Sequence, residues 1–242
     1  MRIIENLLKS VVLEEGIITE KIKLSEAAFK IRLENKNISK TNFVPGSFLR
    51  MGIGIGNDEL SMKDKIRSYS VWDINKDEGY LDVAIATHSN GIGSQWVKDC
   101  QVGDSVHFKW KKGKFLADDS ADSYLLIGDL SALSHLYMIH RNIGYGKQVE
   151  SILYSQGKNE LFADVDGTLP FNFYELSPNP VKALTDKVKE IVPAFKGKKI
   201  AYIAGDSRIC VALNQFFRKE LQWETRQIKT KPFWNPEKKG LE

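Results

Sequence analysis

The tetrapeptide Arg67-Ser68-Tyr69-Ser70 places a cation, an aromatic ring and hydroxyl groups within four residues. Strand-favouring residues follow it and a turn closes the segment at residues 75–79, so the sequence predicts a strand. On a pleated strand Arg67 and Tyr69 share one face, and the two serines share the other. A guanidinium can bind phosphate oxygens and a phenol ring can stack on a planar ring system. The trio suits a flat, phosphorylated ligand; the alternative is an exposed arginine beside a core tyrosine.

A second candidate anion site follows the strand predicted over residues 80–87. Gly91 and Gly93 precede Ser94, where a short helix is predicted to begin. A glycine turn that leads into a helix presents backbone N–H groups and the positive end of the helix dipole, which together bind anions. The same pattern is typical of an ordinary helix N-cap. His88, by itself, is more typical of a structural hydrogen bond than of a catalyst.

The glycines at positions 52, 54 and 56 have the spacing of a phosphate loop at first sight. No helical pattern follows them, so the dinucleotide-binding motif is not met. The sequence therefore predicts a bend between strands here.

The composition is that of a soluble globular protein with one large or two modest domains. The chain has 242 residues, of which 42% are apolar and 27% are charged. A net charge of +4 is too weak to indicate nucleic acid, although it suits an anionic ligand.

The sequence lacks the motifs that are typical of several function classes. Cys100 and Cys210 lack the spacing of metal ligands, and the four histidines form no zinc-protease motif, so no metal site is predicted. The sequence shows neither a signal peptide nor a long apolar run. We therefore expect no membrane span and a cytoplasmic location.

Periodicity divides the chain into two parts that would position these residues. Residues 1–15 have the spacing of a short amphipathic segment. Residues 17–24 and 28–33 then alternate as half-buried antiparallel strands do. Everything up to about Asp118 is predicted to be a small antiparallel barrel.

From about Ser120 the pattern changes to alternating strands and helices, which favours an open parallel α/β sheet. A ligand crevice is then expected at the carboxyl ends of the strands, near Gly128-Asp129 and Gly205-Asp206. The predicted strands are residues 123–127, 149–154, 161–165, 169–174, 199–204 and 225–230, and the predicted helices are residues 131–142, 178–192 and 207–221.

The order and spacing of these motifs resemble a known superfamily. Arg67 to Ser70, followed by Gly91-Ile92-Gly93-Ser94, resembles the flavin-binding pair of the ferredoxin–NADP reductase-like proteins. Within that superfamily the chain is most similar to the siderophore-interacting proteins, which are flavin-dependent ferric-siderophore reductases. Residues 45–48 and 102–106 resemble barrel landmarks of the superfamily. The stretches that carry the closer likeness are residues 88–96, 124–133, 204–207 and 233–236, together with Gly240.

The resemblance implies a two-domain fold, with a Greek-key flavin-binding barrel at residues 1–118 and a Rossmann-like domain at residues 119–242. Arg67 would bind the phosphates of FAD, Tyr69 would stack on the isoalloxazine and Ser70 would lie near its N5 edge. Backbone N–H groups of Gly93 and Ser94 would hold the pyrophosphate. The full implied FAD-binding set is Arg67, Ser68, Tyr69, Ser70, Thr87, His88, Ile92, Gly93, Ser94 and Trp234.

Three departures from the family pattern stand out. Ser70 replaces the usual threonine and keeps its hydroxyl group. Asn235 replaces the arginine that ends the family's aromatic–Trp segment, and Gly91-Ile92-Gly93-Ser94 stands where the family often has Gly-Pro-Ala-Ser.

Related reductases receive NAD(P)H in the crevice, for which Gly128, Asp129, Gly205, Asp206 and Arg208 are the candidate residues. A carboxylate at position 129 would repel a pyrophosphate. This indicates weak NAD(P)H binding or another donor, such as a reduced ferredoxin. The alternative is that the two aspartates are helix caps and that Arg208 is solvated.

The resemblance therefore implies an FAD-dependent oxidoreductase with no catalytic side chain of its own, which passes electrons from NAD(P)H to a ferric siderophore and releases Fe(II). One alternative is a flavin-linked reductase for another acceptor, such as ferredoxin or a quinone. Another is a non-enzymatic siderophore-binding protein. A basic tail would receive the anionic ferric chelate; its lysines are Lys229, Lys231, Lys238 and Lys239.

Overall fold

The computed structural model describes residues 13–55, 60–61, 64–89 and 91–237. The amphipathic segment predicted at residues 1–15 lies almost wholly outside this range. The chain divides between Lys114 and Phe115 into two compact units. None of the described helices is long and apolar enough to cross a membrane.

The first unit is a closed six-stranded barrel in which every neighbouring pair of strands is antiparallel, as predicted. A short helix, α1, connects the fifth and sixth strands. The strand order β1-β2-β5-β4-β3-β6 is a Greek-key arrangement. The elements are β1 (Glu14–Ser25), β2 (Ala28–Glu34), β3 (Phe48–Met51), β4 (Arg67–Asn75), β5 (Tyr80–Ala86), α1 (Ile92–Asp99) and β6 (Ser105–Lys111).

Alternating apolar residues form the core of this barrel. Ile31 and Leu33 of β2 lie opposite Val83 and Leu81 of β5, and all four are fully buried. Burying one such side chain stabilises the fold by about 1.5–3 kcal/mol. A slip of one residue would turn these side chains to the opposite face, so the alternation fixes the register of the neighbouring strands.

The second unit is a five-stranded parallel sheet with the order β11-β10-β7-β8-β9, again as predicted. All residues of its central strand are buried, which is typical of a parallel sheet covered on both faces. The elements are β7 (Ser123–Asp129), α2 (Leu133–Arg141), β8 (Gln148–Ser155), β9 (Phe173–Glu175), α3 (Val181–Ile191), β10 (Lys199–Asp206), α4 (Ser207–Lys219) and β11 (Ile228–Trp234).

The strand predicted at residues 161–165 is wrong. The segment follows a 3-10 turn at Lys158–Glu160 and forms no strand. Leu161 and Phe162 are buried instead beside α2, where the Tyr137 hydroxyl donates to the Phe162 carbonyl oxygen at 2.6 Å, whereas Val165 is exposed. Asp164 forms an ion pair with Arg141 at the end of the same helix.

Several element bounds also differ from the prediction, of which three have a clear cause or a large effect. The strand predicted at residues 169–174 is only three residues long. The last strand begins at Ile228 rather than at residue 225, because a capping box between Glu224 and Gln227 holds a 3-10 turn there. Helix α1 begins at Ile92, two residues before the predicted Ser94, because Gly91 adopts the extended conformation of an N-cap.

His135 is a buried histidine in the core of the second unit. Its Nε2 atom lies 2.9 Å from the Phe115 carbonyl oxygen, and its ring contacts those of Phe115 and Phe233. Burial, which disfavours the charged ring, lowers the pKa of His135 to about 4. The imidazole is therefore neutral at pH 7 and donates from Nε2 to that carbonyl.

This burial predicts a pH dependence of stability. The unfolded chain binds a proton at His135 below its ordinary pKa of 6.5, whereas the folded chain does not until about pH 4. The free energy of unfolding should therefore fall by about 3 kcal/mol as the pH decreases from 6.5 to 4. Urea unfolding of wild type and His135→Gln across this range checks it. An equally steep fall in the glutamine variant would contradict the assignment.

Candidate functional site

Strand β4 begins with the tetrapeptide Arg67-Ser68-Tyr69-Ser70. It pairs with β3 in continuous register, so that Arg67 lies opposite Met51 and Tyr69 lies opposite Leu49. The irregularity in this strand comes later, between Val71 and Asp73 in its pairing with β5. The alternation predicted from the sequence therefore holds here, and the arginine and the tyrosine share a face.

The Arg67 guanidinium is held by the backbone that precedes it. Its Nη1 atom donates to the carbonyl oxygens of Ile66 at 2.6 Å and Asp64 at 3.1 Å. The Asp64 carboxylate lies 3.8 Å from Nη2. The side chain is 19% exposed, so this fixed cation still meets solvent. A guanidinium that is already oriented loses less entropy when it binds a phosphate.

Tyr69 meets the first turn of α1 at Gly93. A Cβ atom on Gly93 would lie 2.0 Å from the Tyr69 hydroxyl oxygen and 3.3 Å from the ring carbon that bears it. Ile53 closes the same space at 3.6 Å. Only glycine permits this approach, so its identity here is a requirement of the contact between strand and helix.

The N-terminus of α1 has the chemistry of an anion site. Gly91, its N-cap residue, provides no side chain, and no side chain caps the helix. Ser94 reaches back instead, and its hydroxyl donates to the Thr87 carbonyl oxygen at 3.2 Å. This bond ties α1 to the end of β5, while the backbone N–H groups of the first turn point outward from the helix.

These residues fit a flavin nucleotide. A localised cation and a tyrosine ring share one face of β4. The tyrosine also approaches an uncapped helix N-terminus at Gly93. Ser70 is almost buried, Ile92 and Thr87 are half-buried and His88 is exposed. Trp234 belongs to the second unit, where its contacts are described next. The contact between Gly93 and Tyr69 has no signal in the sequence.

In the second unit, Asp129 holds together the carboxyl ends of three strands. Its Oδ1 accepts from the Ser131 N–H at 2.9 Å and from the Ser131 hydroxyl at 2.5 Å. Its Oδ2 accepts from the Asp206 N–H and the Trp234 indole N–H, both at 2.8 Å. Asp129 thus caps the turn after β7, which is the helix-cap alternative given in the sequence analysis. It also joins β7, β10 and β11.

Asp206 caps helix α4 in the same way. Its Oδ1 accepts from the Arg208 N–H at 2.9 Å, and its Oδ2 pairs with the Arg208 guanidinium at 2.7 Å. Glu237 lies 3.7 Å from the same guanidinium. Asp206 and Glu237 therefore offset the positive charge of Arg208, which was a candidate to bind a nicotinamide phosphate. Burial raises the pKa of the nearby Cys210 thiol, and the negative charges of Asp129 and Asp206 raise it further.

The glycines at this edge serve packing. A Cβ on Gly128 would lie 2.7 Å from the Leu136 side chain. Gly205 has a φ of +122°, and a Cβ there would lie 2.3 Å from Asp129. Both positions require glycine because of the chain's own side chains.

The basic tail is only partly available to a ligand. The Lys229 ammonium donates to Asp118 at 2.7 Å and lies over the Tyr202 ring. Burial acts to raise the pKa of Asp118, but the bonds from Lys229 and Ser120 prevail and hold it at about 2. Lys231 lies 5.5 Å from the centre of the Phe233 ring. Lys238 and Lys239 lie outside the described residues.

Within the part of the chain that the structure describes, no group of His, Cys, Asp and Glu side chains could hold a metal ion.

Each unit matches a different family model. Residues 15–116 match the family model of the oxidoreductase FAD-binding domain, and residues 121–237 match that of the siderophore-interacting proteins. These matches confirm the resemblance stated from the sequence. NADH-cytochrome b5 reductase 1 of Cryptococcus neoformans is 25% identical over 95 residues, which are 37% of this chain. The match spans 32%, about a third, of that curated relative.

Solved structures share the fold over 91–93% of the chain. The siderophore-interacting protein SipS from Aeromonas hydrophila has a TM-score of 0.77 at 15% identity, and the match covers 93% of this chain and 92% of that one. The siderophore-interacting protein from Acinetobacter baumannii has a TM-score of 0.77 at 16% identity, with coverages of 92% and 90%. Ferredoxin-NADP+ reductase from Plasmodium falciparum has 0.72 at 14% identity, with coverages of 91% and 96%. The fold is therefore that of the ferredoxin–NADP reductase-like proteins.

Proposed function

We propose that this chain, which joins an oxidoreductase FAD-binding domain to a siderophore-interacting domain, is an FAD-dependent reductase of ferric siderophores. The observation that carries the proposal is the close approach of Gly93 to the Tyr69 hydroxyl. It places an uncapped helix N-terminus against the tyrosine of the strand that also bears Arg67.

The chain's own residues bind and orient the cofactor. Arg67 would pair with phosphate oxygens, and the backbone N–H groups of Gly93 and Ser94 would hold the pyrophosphate at the positive end of α1. The Tyr69 ring would stack on the flavin ring system, and the Ser70 hydroxyl would bond to its edge. When bound, FAD supplies the electron transfer that amino-acid side chains cannot perform.

The acceptor is an anionic ferric chelate. We assign Lys231, a described lysine of the tail near the Phe233 ring, to this chelate. Lys229 is paired with Asp118. Siderophores hold Fe(II) far less tightly than Fe(III), so a one-electron reduction releases the metal. We place this reaction in the cytoplasm, where the buried thiols of Cys100 and Cys210 stay reduced.

Chemically reduced protein tests this function without any biological donor. The FAD-loaded protein is reduced with a stoichiometric amount of dithionite in the absence of oxygen, and a ferric siderophore is added. Return of the oxidised flavin absorbance, with Fe(II) trapped by a colorimetric chelator, is expected. Reoxidation by a quinone or an oxidised ferredoxin but not by ferric siderophores would establish another acceptor. No reoxidation by any of them would leave a siderophore-binding protein.

Replacing Lys231 tests the acceptor site. Lys231→Ala should raise the half-saturating concentration of an anionic ferric chelate by about two- to fivefold, because one partly screened charge is lost. A neutral chelate should be unaffected. Lys182→Ala is the control, since Lys182 is an exposed lysine of α3 that pairs only locally with Asp186. Equal effects on both chelates would contradict an electrostatic role.

A further inference from the structure

The βα turns at the carboxyl edge of a parallel sheet bind pyrophosphate through backbone N–H groups that have no partner within the chain. In this protein those groups are already bonded. The Ser131 N–H after β7 donates to Asp129, and the Arg208 N–H after β10 donates to Asp206. The Asp206 N–H itself donates to the second oxygen of Asp129.

The carboxylates that accept these bonds are built into the sheet. Asp129 is 8% exposed and Asp206 is 5% exposed. Asp129 also accepts from the Trp234 indole, so its position is fixed from three strands. Gly205 takes a left-handed φ of +122° directly against it, leaving 2.3 Å between a Cβ position and Oδ2. The backbone conformation at Gly205 therefore leaves room for the Asp129 carboxylate.

The charge balance of the edge also opposes a second anion. Arg208 is the cation of these turns, and Asp206 and Glu237 already offset it. Repulsion between unit charges about 4 Å apart weakens binding between about fivefold and several hundredfold, according to how well water screens them. A pyrophosphate would meet this repulsion after first displacing a carboxylate from each turn.

We propose that Asp129 and Asp206 are internal anions that occupy the pyrophosphate position and exclude a pyridine dinucleotide from this edge. They are therefore specificity-determining residues for the electron donor. The exclusion of a pyridine dinucleotide is argued from the hydrogen bonds and ion pairs of these two aspartates alone. Its consequence rests on the proposed function: the donor is a reduced one-electron carrier protein, of which one molecule is oxidised for each Fe(III) reduced.

The test is the direct binding of NADP+ and NAD+ to FAD-loaded protein by isothermal titration calorimetry. Wild type should show no saturable binding up to about 1 mM. Asp129→Asn and Asp206→Asn should each bind at least about tenfold more tightly, because the charge is removed while an acceptor oxygen is kept. Circular dichroism and FAD content verify that each variant folds, and the Asp206 variant carries the test if the other does not fold.

Asp166→Asn is the matched control. Asp166 accepts from the N–H and the hydroxyl of Thr168, as Asp129 does from Ser131, but it lies in the exposed loop between β8 and β9. It should leave dinucleotide binding at the wild-type level. Micromolar binding to wild type, or folded Asp129 and Asp206 variants that bind no more tightly, would overturn the proposal. Reoxidation of dithionite-reduced protein by a ferric siderophore uses no pyridine dinucleotide. It therefore tests the proposed function separately.

Discussion

Arg67→Ala should weaken FAD binding by about 10- to 100-fold. A hydrogen-bonded pair between a guanidinium and a phosphate contributes about 1.5–3 kcal/mol, and each 1.4 kcal/mol is a factor of about ten. The arginine is held by the carbonyl groups of Asp64 and Ile66, so the cation reaches the phosphate without a large entropy loss. Quenching of FAD fluorescence on titration with apoprotein measures the dissociation constant.

Two variants make the result specific. Arg67→Lys keeps the charge but not the planar fork of donors, and it should recover only part of the affinity. Arg226→Ala removes an exposed arginine that pairs locally with Glu224, and it should bind FAD as the wild type does. Unchanged FAD affinity in Arg67→Ala would remove this residue from the phosphate site.

Gly93→Ala should lower both stability and FAD affinity. The added methyl group would lie 2.0 Å from the Tyr69 hydroxyl oxygen, so the first turn of α1 or the ring must move. Overpacking of this kind costs about 1–3 kcal/mol of folding free energy. A displaced turn also misdirects its N–H groups, which should weaken FAD binding by about tenfold or more. Urea unfolding and FAD titration measure the two losses.

A matched glycine and a rescue variant separate this clash from a general effect of alanine. Among the residues that the structure describes, a Cβ on Gly91 would approach the Ser89 hydroxyl oxygen alone, at 3.4 Å, so Gly91→Ala should remain close to wild type. Tyr69→Phe removes the atom that clashes and leaves the ring carbon at 3.3 Å. The double variant Gly93→Ala/Tyr69→Phe should therefore regain most of the stability lost by Gly93→Ala. Strict additivity of the two substitutions would show that the two residues do not touch.

The fold was largely predictable because its two halves carry different periodicities. Strict alternation in β2 and β5 predicted half-buried antiparallel strands, and the continuous apolar run of β7 predicted a covered parallel strand. Residues 161–165 misled the prediction, since an apolar run reads as a strand whether it pairs in a sheet or packs beside a helix. Phe162 does the latter, with its carbonyl bonded to Tyr137.

The site was predictable where its chemistry is local. The alternation of Arg67 and Tyr69 follows from a regular strand and needs no tertiary information. The role of Asp129 does not, since its partner Trp234 is 105 residues away and reaches it only through the parallel pairing of β7, β10 and β11. The pairing of Lys229 with Asp118, which are 111 residues apart, could not be predicted from the sequence for the same reason.

The central claim is that the Arg67–Ser70 strand and the N-terminus of α1 hold a flavin. The absorbance spectrum of the purified protein, followed by titration with FAD, tests it most directly. The structure predicts the two visible absorption bands of a protein-bound flavin, at one FAD per chain after saturation, with a spectrum shifted from that of free FAD. A colourless protein that takes up no FAD on titration would contradict the account.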